Sequence, residues 1–561
     1  MKNTQVIQLM SIVRLSIFML GITMMSCNSK KEQQLPAIGK SVALFDYFSY
    51  KGNDDFYISN PLSDEDYFYN PILPGWYSDP SVCTNGEGDY FLVTSTFTYF
   101  PGVPIFHSKD LVNWKQIGHV LNRASQLVNM EGQKVSGGIF APAISYNPYN
   151  KTYYMVTTNV GAGNFFVKTQ DPFGEWSEPV MLPEVGGIDP SFFFDEDGKA
   201  YIVNNDEAPD NKPEYSGHRT IRIQEFDVKT DKTIGPRKIL VNKGAQPADK
   251  PIWIEGPHLY KINGKYFLMS AEGGTGNWHS EVIFRGDSPM GKFLPWKNNP
   301  ILTQRHLNSD RPNSVTCAGH ADLIQAKEGD WWAVFLACRP INNQFENLGR
   351  ETFMMPVKWS EDGFPYMTQG DDLVPMIVKR EGAKRDTTVT YGNFELIENF
   401  DSPVLDMPWM TLRASASDLY SLTETPGYLT LKCADISATE KKTPAFVCRR
   451  LQHHNDKETA GMLLFKNETH QYFFCLNKVG ENKNISLKQI GEKEQTLASD
   501  EIDADTNEVY LKLVSQGIGY DFYYSIDGEK SWKLLCKDVD PSYLSTTTAG
   551  GFTGTTIGLY A

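Results

Sequence analysis

The chain has 561 residues, too long for one ordinary domain, and its 40% apolar and 22% charged residues describe a globular protein with ample core. Aromatics make up 12% while helical periodicity is scarce, which favours an all-β fold. The net charge is −15, and no cluster of Lys and Arg carries interleaved aromatics; this argues against nucleic acid as a partner and suits a neutral polar ligand such as a sugar.

The first segment, residues 1–27, carries Lys2 and Arg14, then an apolar run of about eleven residues, too short to span a bilayer comfortably. It reads as an export signal. The small residue Ser26 before Cys27 resembles a bacterial lipobox, which makes Cys27 the expected lipidation site. The protein is then an exported lipoprotein, periplasmic or at the cell surface, that meets the membrane through its lipid alone. A plain cleaved signal and an uncleaved anchor are the alternatives. Residues 28–69 follow as a tether and an aromatic, acidic extension, which either packs on the next domain or acts as a spacer. The seven later cysteines show no CxxC and no compact spacing, and are expected to be mostly free and buried.

Between residues 70 and 375 one phrase recurs five times: "WYSDPSVCTNGEGDYFLVTSTF", "GIFAPAISYNPYNKTYYMVTTN", "GGIDPSFFFDEDGKAYIVNND", "WIEGPHLYKINGKYFLMSAEGG" and "TCAGHADLIQAKEGDWWAVFLAC". Each has a polar or small head, a strand, a turn rich in Asn, Asp and Gly, and an aromatic second strand. With Asp79, Phe140, Asp189, Glu255 and His320 as equivalent positions, the intervals are 61, 49, 66 and 65 residues. That period predicts a five-bladed β-propeller. Its innermost strands converge on an axis, so Asp79, Asp189 and Glu255 should share one pocket.

Three acids in one confined pocket cannot all ionise cheaply. One ionised and one protonated carboxyl is what acetal hydrolysis needs, the first to activate water and the second to protonate the leaving oxygen. Taken singly, an Asp before Pro opens turns and a Glu before Gly-Pro can cap; the common register is what carries the reading. Metal ligation is the competing chemistry, and it is weaker because only His320 shares that register.

Together with "TSTFTYFPGVPIFHSKDLVNW", "CAGHADLI" and "LGRETF", these phrases resemble glycoside hydrolase family 43 from about residue 70 to 360. Within it, the likeness is to exo-acting β-xylosidases and α-L-arabinofuranosidases with a C-terminal β-sandwich. The resemblance implies Asp79 as general base, Glu255 as general acid and Asp189 as the group that orients Glu255 and raises its pKa. Water then displaces the leaving group directly, with inversion. It also implies Phe97 and Phe140 as walls of the sugar subsite, with Phe140 standing where the family usually has Trp. Arg339 in "CRP" matches a substrate-contacting arginine, whereas Arg350 in "GRETF" reads as structural. His279 is a candidate subsite residue. Some relatives place a metal ion, often calcium, or ordered water beside the histidine matching His320, so the resemblance makes His320 a candidate neighbour of calcium; the hydrolysis itself requires no cofactor. The rival sucrose- and fructan-cleaving propellers use Asn-Asp-Pro-Asn and Glu-Cys phrases, where this chain has "SDPSV" and "IEGPH".

Residues 376–394 look like a linker. From 395 to 561, short alternating segments such as "GYLTLKC", "QYFFCLNK" and "YDFYYSIDG" predict a β-sandwich, lectin-like by resemblance. The expected activity is release of xylose or arabinose from xylo-, arabinoxylo- or arabino-oligosaccharides. An arabinan-directed arabinofuranosidase and a non-catalytic sugar-binding lipoprotein are the alternatives.

Overall fold

The turns that punctuate the repeats become hairpins. Asn263 and Gly264 both have positive φ (51° and 73°) and join Glu255–Ile262 to Lys265–Glu272 with only two residues between them, the backbone a tight antiparallel turn requires. The computed structural model of the protein describes residues 42–386, 388–459, 462–479, 482–506 and 508–561. The signal segment and Cys27 lie outside the described residues.

Five antiparallel sheets follow one another along the chain. Their innermost strands are Ser81–Thr84, Ile139–Asn147, Ile188–Phe194, Glu255–Ile262 and Thr316–Gln325. Four of the sheets have four or five strands. The last has Thr316–Gln325, Trp331–Cys338 and Glu351–Pro356, and Leu73, which precedes the first sheet, bridges to Thr352 at its edge. Five apolar cores lie between successive sheets. The fifth joins Trp332 and Val334 of the last sheet to Val82 and Leu92 of the first, so the ring is closed.

Polar bonds between inner strands repeat that closure. Ile144 N–H donates to Ser81 Oγ (3.0 Å), and Ser81 Oγ donates to Asp322 Oδ2 (2.7 Å). Tyr260 donates to Asp322 Oδ1 (2.6 Å), Ser191 to the Pro257 carbonyl (2.6 Å) and Ser145 to the Phe192 carbonyl (3.0 Å). Each blade is thus tied to the next. Buried polar bonds of this kind fix register as well as adding stability.

The second domain is a sandwich of two six-stranded sheets. From residue 42 the N-terminal extension is part of it, where sequence left packing on the propeller or a spacer open; the tether expected after Cys27 lies outside the described residues. Phe48–Gly52 pairs between Glu395–Glu398 and Asp456–Thr459, and Val42–Phe45 pairs with Leu429–Lys432. The reason lies in its alternation: Phe48, Tyr50 and Gly52 are buried and the residues between them are not. The expected linker is also structured in part, since Ile377–Lys379 pairs with Tyr67–Tyr69. Thr556–Tyr560 sits inside a sheet, between Phe446–Arg450 and Met462–Asn467. Trp76, Phe97 and Tyr99 of the propeller share an apolar core with Met410, Phe446 and Phe465 of the sandwich, so the two domains are packed against each other. The seven described cysteines are free; Cys433 is exposed, Cys536 is half-buried, and the rest are buried.

Candidate active site

The heads of four of the five inner strands are bent by the same device. Asp79, Asp189, Gly256 and His320 have φ of 54°, 54°, 54° and 51°, and register shifts follow at Ile188/Ser191, Glu255/His258 and Gly319/Asp322. Non-glycine residues in this region carry strain of about 1–3 kcal/mol, tolerated where a side chain must be aimed. Gly256 has a further reason to be glycine: a Cβ there would lie 2.7 Å from the His320 ring. The repeating register is therefore Asp79, Ala141, Asp189, Gly256, His320, all of which face a narrow axial cavity. Phe140 and Glu255, expected in that register, each stand one residue before it. The cavity measures about 10 Å³, the room one water molecule needs.

The three acids are buried and held in different states. Burial alone would raise Asp79, but the Arg350 guanidinium, then the hydroxyls of Ser95 and Ser78, hold it below the ordinary carboxylate value. Arg350 Nη1 lies 3.0 Å from Asp79 Oδ1, and Ser95 Oγ donates to Oδ2 at 2.6 Å. Asp189 is pushed up to about 7, first by burial and then by the Asp79 charge; the Gly256 N–H, which donates to its Oδ2 at 3.2 Å, opposes the rise. Glu255 is driven well above the carboxylate range by burial, then by Asp189 and Asp79. One carboxylate is ionised and one carboxyl keeps its proton, so the group can take a proton from water and give one to a leaving oxygen.

His320 lies with Nδ1 3.7 Å from Asp79 Oδ1, too far for a direct hydrogen bond, and burial depresses it to about 3, so it is neutral. A calcium ion takes six to eight oxygens. The cavity beside His320 is lined by Asp79, Asp189, Ser81, Ser191 and His258 as well as by prolines and alanines, but among the described residues no group of three or more His, Cys, Asp or Glu is placed to hold a metal. The side chains by themselves do not supply a calcium set, and no chemical step is derived through one.

His279 is also buried and neutral, lowered to about 4 by burial, with Nδ1–H donating to the Cys317 carbonyl at 2.8 Å. It packs against Gly319 behind the fifth inner strand. Arg339 is committed elsewhere. Its guanidinium forms a two-point ion pair with Glu351 (2.7 and 2.8 Å) and also reaches Asp54, Tyr57 and the Gln452 carbonyl. It joins the extension, the fifth blade and the sandwich, where a substrate contact was expected. Replacement by Met leaves Glu351 buried without its cation, and Tm should fall by the equivalent of about 3–5 kcal/mol. Thermal unfolding of Arg339→Met checks this; an unchanged Tm would remove the assignment.

Arg350, expected to be structural, is the arginine at the site. Besides Asp79 it faces the rings of Phe97 (5.8 Å) and Phe552 (5.4 Å), and its Nε has no hydrogen-bond partner among the described residues. Phe552 comes from the sandwich and reaches Phe97 and Phe140 at 6.3 and 5.7 Å, so the three rings and Arg350 form one wall. Lys466, buried in the sandwich, donates to Thr546 Oγ1 (2.8 Å) and to the Thr553 carbonyl, bracketing the loop that presents Phe552. Beside Arg350 and Phe552 opens a cavity of about 240 Å³, lined also by Asn277, Cys317, Glu346 and Thr547. Sequence reading missed Phe552 altogether; its only signal is an aromatic in a glycine-rich turn near the end of the chain.

Residues 68–365 match the family described as "Glycosyl hydrolases family 43". The chain belongs to glycoside hydrolase family 43. The second domain of this family 43 hydrolase, residues 397–561, matches "Beta xylosidase C-terminal Concanavalin A-like domain". It is 39% identical over 514 residues to a "Xylosidase/arabinosidase" of Butyrivibrio fibrisolvens, covering 88% of this chain and 95% of that one. It is 35% identical to "Non-reducing end alpha-L-arabinofuranosidase BoGH43B" of Bacteroides ovatus, covering 88% and 91%. Among solved structures, "a GH43_12 retrieved from capybara gut metagenome" superposes with a TM-score of 0.86 at 41% identity, covering 92% of this chain and 99% of that one.

Proposed function

We propose that this family 43 hydrolase is an inverting exo-glycosidase that releases xylose, arabinose or both from the non-reducing ends of xylan and arabinoxylan oligosaccharides. The observation that carries the reading is the opposed state of two buried acids: Asp79 ionised beside Arg350, Glu255 protonated beside Asp189. Glu255 gives its proton to the glycosidic oxygen as that bond breaks. A water activated by Asp79 attacks the anomeric carbon, and its proton passes to Asp79. Asp189 raises Glu255 by its charge and is held by the Gly256 N–H. A cavity of about 240 Å³ lined by Arg350 and Phe552, whose ring packs on Phe97 and Phe140, supports attack at a chain end. The names of the relatives support a pentose. The N-terminal segment supports export and anchoring through a lipid on Cys27.

Proton NMR tests this, with the protein mixed in parallel with β-1,4-xylo-oligosaccharides and arabino-oligosaccharides and each anomeric signal read before mutarotation. Immediate α-xylose or β-arabinose is expected. Product of retained configuration would sink the role of Asp79, and no turnover of either sugar would sink the substrate class.

A further inference from the structure

Two residues before Glu255 stands a tryptophan that the catalytic reading leaves unused. Trp253 is 39% exposed, unlike the buried Ile254 that follows it, and its φ is 53°. Its backbone is fixed on both sides: Trp253 N–H donates to the Gly217 carbonyl at 2.8 Å, and the neighbouring Ile252 carbonyl accepts from Gly273 N–H at 2.9 Å. The indole lies over the Arg219 guanidinium at 5.0 Å. Arg219 is itself buried and immobilised, its Nε and Nη2 bonded to Asn205 Oδ1 at 3.2 and 2.9 Å and its Nη1 paired with Glu207. Asn205, which anchors Arg219, also donates to the Ile254 carbonyl at 2.6 Å, so the indole's cation is tied to the residue that joins Trp253 to Glu255.

We propose that Trp253 is the platform on which the sugar leaving group stacks. The inference rests on Glu255 as the acid. If Glu255 protonates the glycosidic oxygen, the sugar on the far side of that oxygen starts at its carboxyl. Two residues of chain span at most about 7 Å, little more than a pyranose ring, so that sugar lies within reach of residue 253. An indole offers a broad apolar face to sugar C–H groups, and one pinned by a buried cation loses little freedom when a ligand covers it. A single exposed aromatic on a protein surface needs no explanation by itself. Here the ring is held by a left-handed backbone, two main-chain bonds and a fixed guanidinium, two residues before the acid. The ligand class is a β-1,4-linked xylose unit, or the equivalent arabinose unit if arabinose is the sugar released.

The test compares kcat/KM for xylobiose with kcat/KM for methyl β-D-xyloside, whose leaving group has no ring, in the unaltered enzyme and in Trp253→Ala and Trp253→Phe. The corresponding arabinose pair is run beside them. The ratio of disaccharide to methyl glycoside is expected to fall about tenfold in Trp253→Ala, the size of one well-made stacking contact, and to recover in Trp253→Phe. An unchanged ratio overturns the proposal, whether both rates hold or both fall together, because a structural role would lower both alike. Failure of the unaltered enzyme on every pentoside would instead overturn the substrate reading, and the platform with it.

Discussion

Asp79→Asn is expected to lose about 10³-fold in kcat on every substrate, whatever its leaving group. The amide keeps the shape of the carboxylate but cannot take a proton from water, and it leaves Arg350 without its 3.0 Å counter-charge. The loss should be equal for xylobiose and for a 4-nitrophenyl glycoside, because activation of water is common to both. The same residue sets the acid limb of the pH profile. Its pKa is held below the ordinary carboxylate value, so activity should persist as pH falls through that range and fail only below it. Steady-state kinetics on the purified variant decide the matter. Residual kcat within tenfold of the unaltered enzyme would mean that another group activates the water.

The second large effect separates substrates by leaving group. Glu255→Gln removes the proton donor, so disaccharide hydrolysis should drop by about 10³-fold. A 4-nitrophenolate departs without full protonation, and its glycoside should lose only about tenfold. Asp189 and Glu255 interact strongly, so their protons leave in two steps that belong to the pair. The first centres near 7, where Asp189 titrates, and the resulting charge raises Glu255 further. The basic limb should therefore lie above about 7 in the unaltered enzyme and vanish in Glu255→Gln with the activated substrate. Equal losses on both substrates would show that Glu255 does not protonate the leaving group.

Much of this was legible in the sequence because the blades repeat. The turns and the alternating apolar strands gave the number of sheets, and a shared head gave Asp79 and Asp189, which meet on the axis. The register was legible only to within one residue. Gly256, with φ of 54°, holds the place assigned to Glu255, and Ala141 that of Phe140, since a bulge shows in backbone angles and a Gly-Pro pair does not announce it. The two arginines could not be ranked from sequence. Arg339 and Arg350 both flank the fifth blade, and only the fold shows Glu351 taking the first while Asp79 takes the second. Phe552 and the N-terminal strands lay beyond reach for one reason: their partners are hundreds of residues away and share no repeat with them.

The place of Phe48–Gly52 inside the sandwich also sets an order of events as the chain is made. Lys51 and its neighbour Glu395 are 344 residues apart. At the usual pace of translation, ~20–70 s separate the appearance of that strand from its first partner. A half-apolar strand must wait unpaired for that time, while the propeller, whose blades pair mostly with near neighbours, has all it needs to close first. The loop that bears Phe552 is made later still. The wall of Phe97, Phe140 and Phe552 is therefore completed only after the propeller that carries its first two rings has been made.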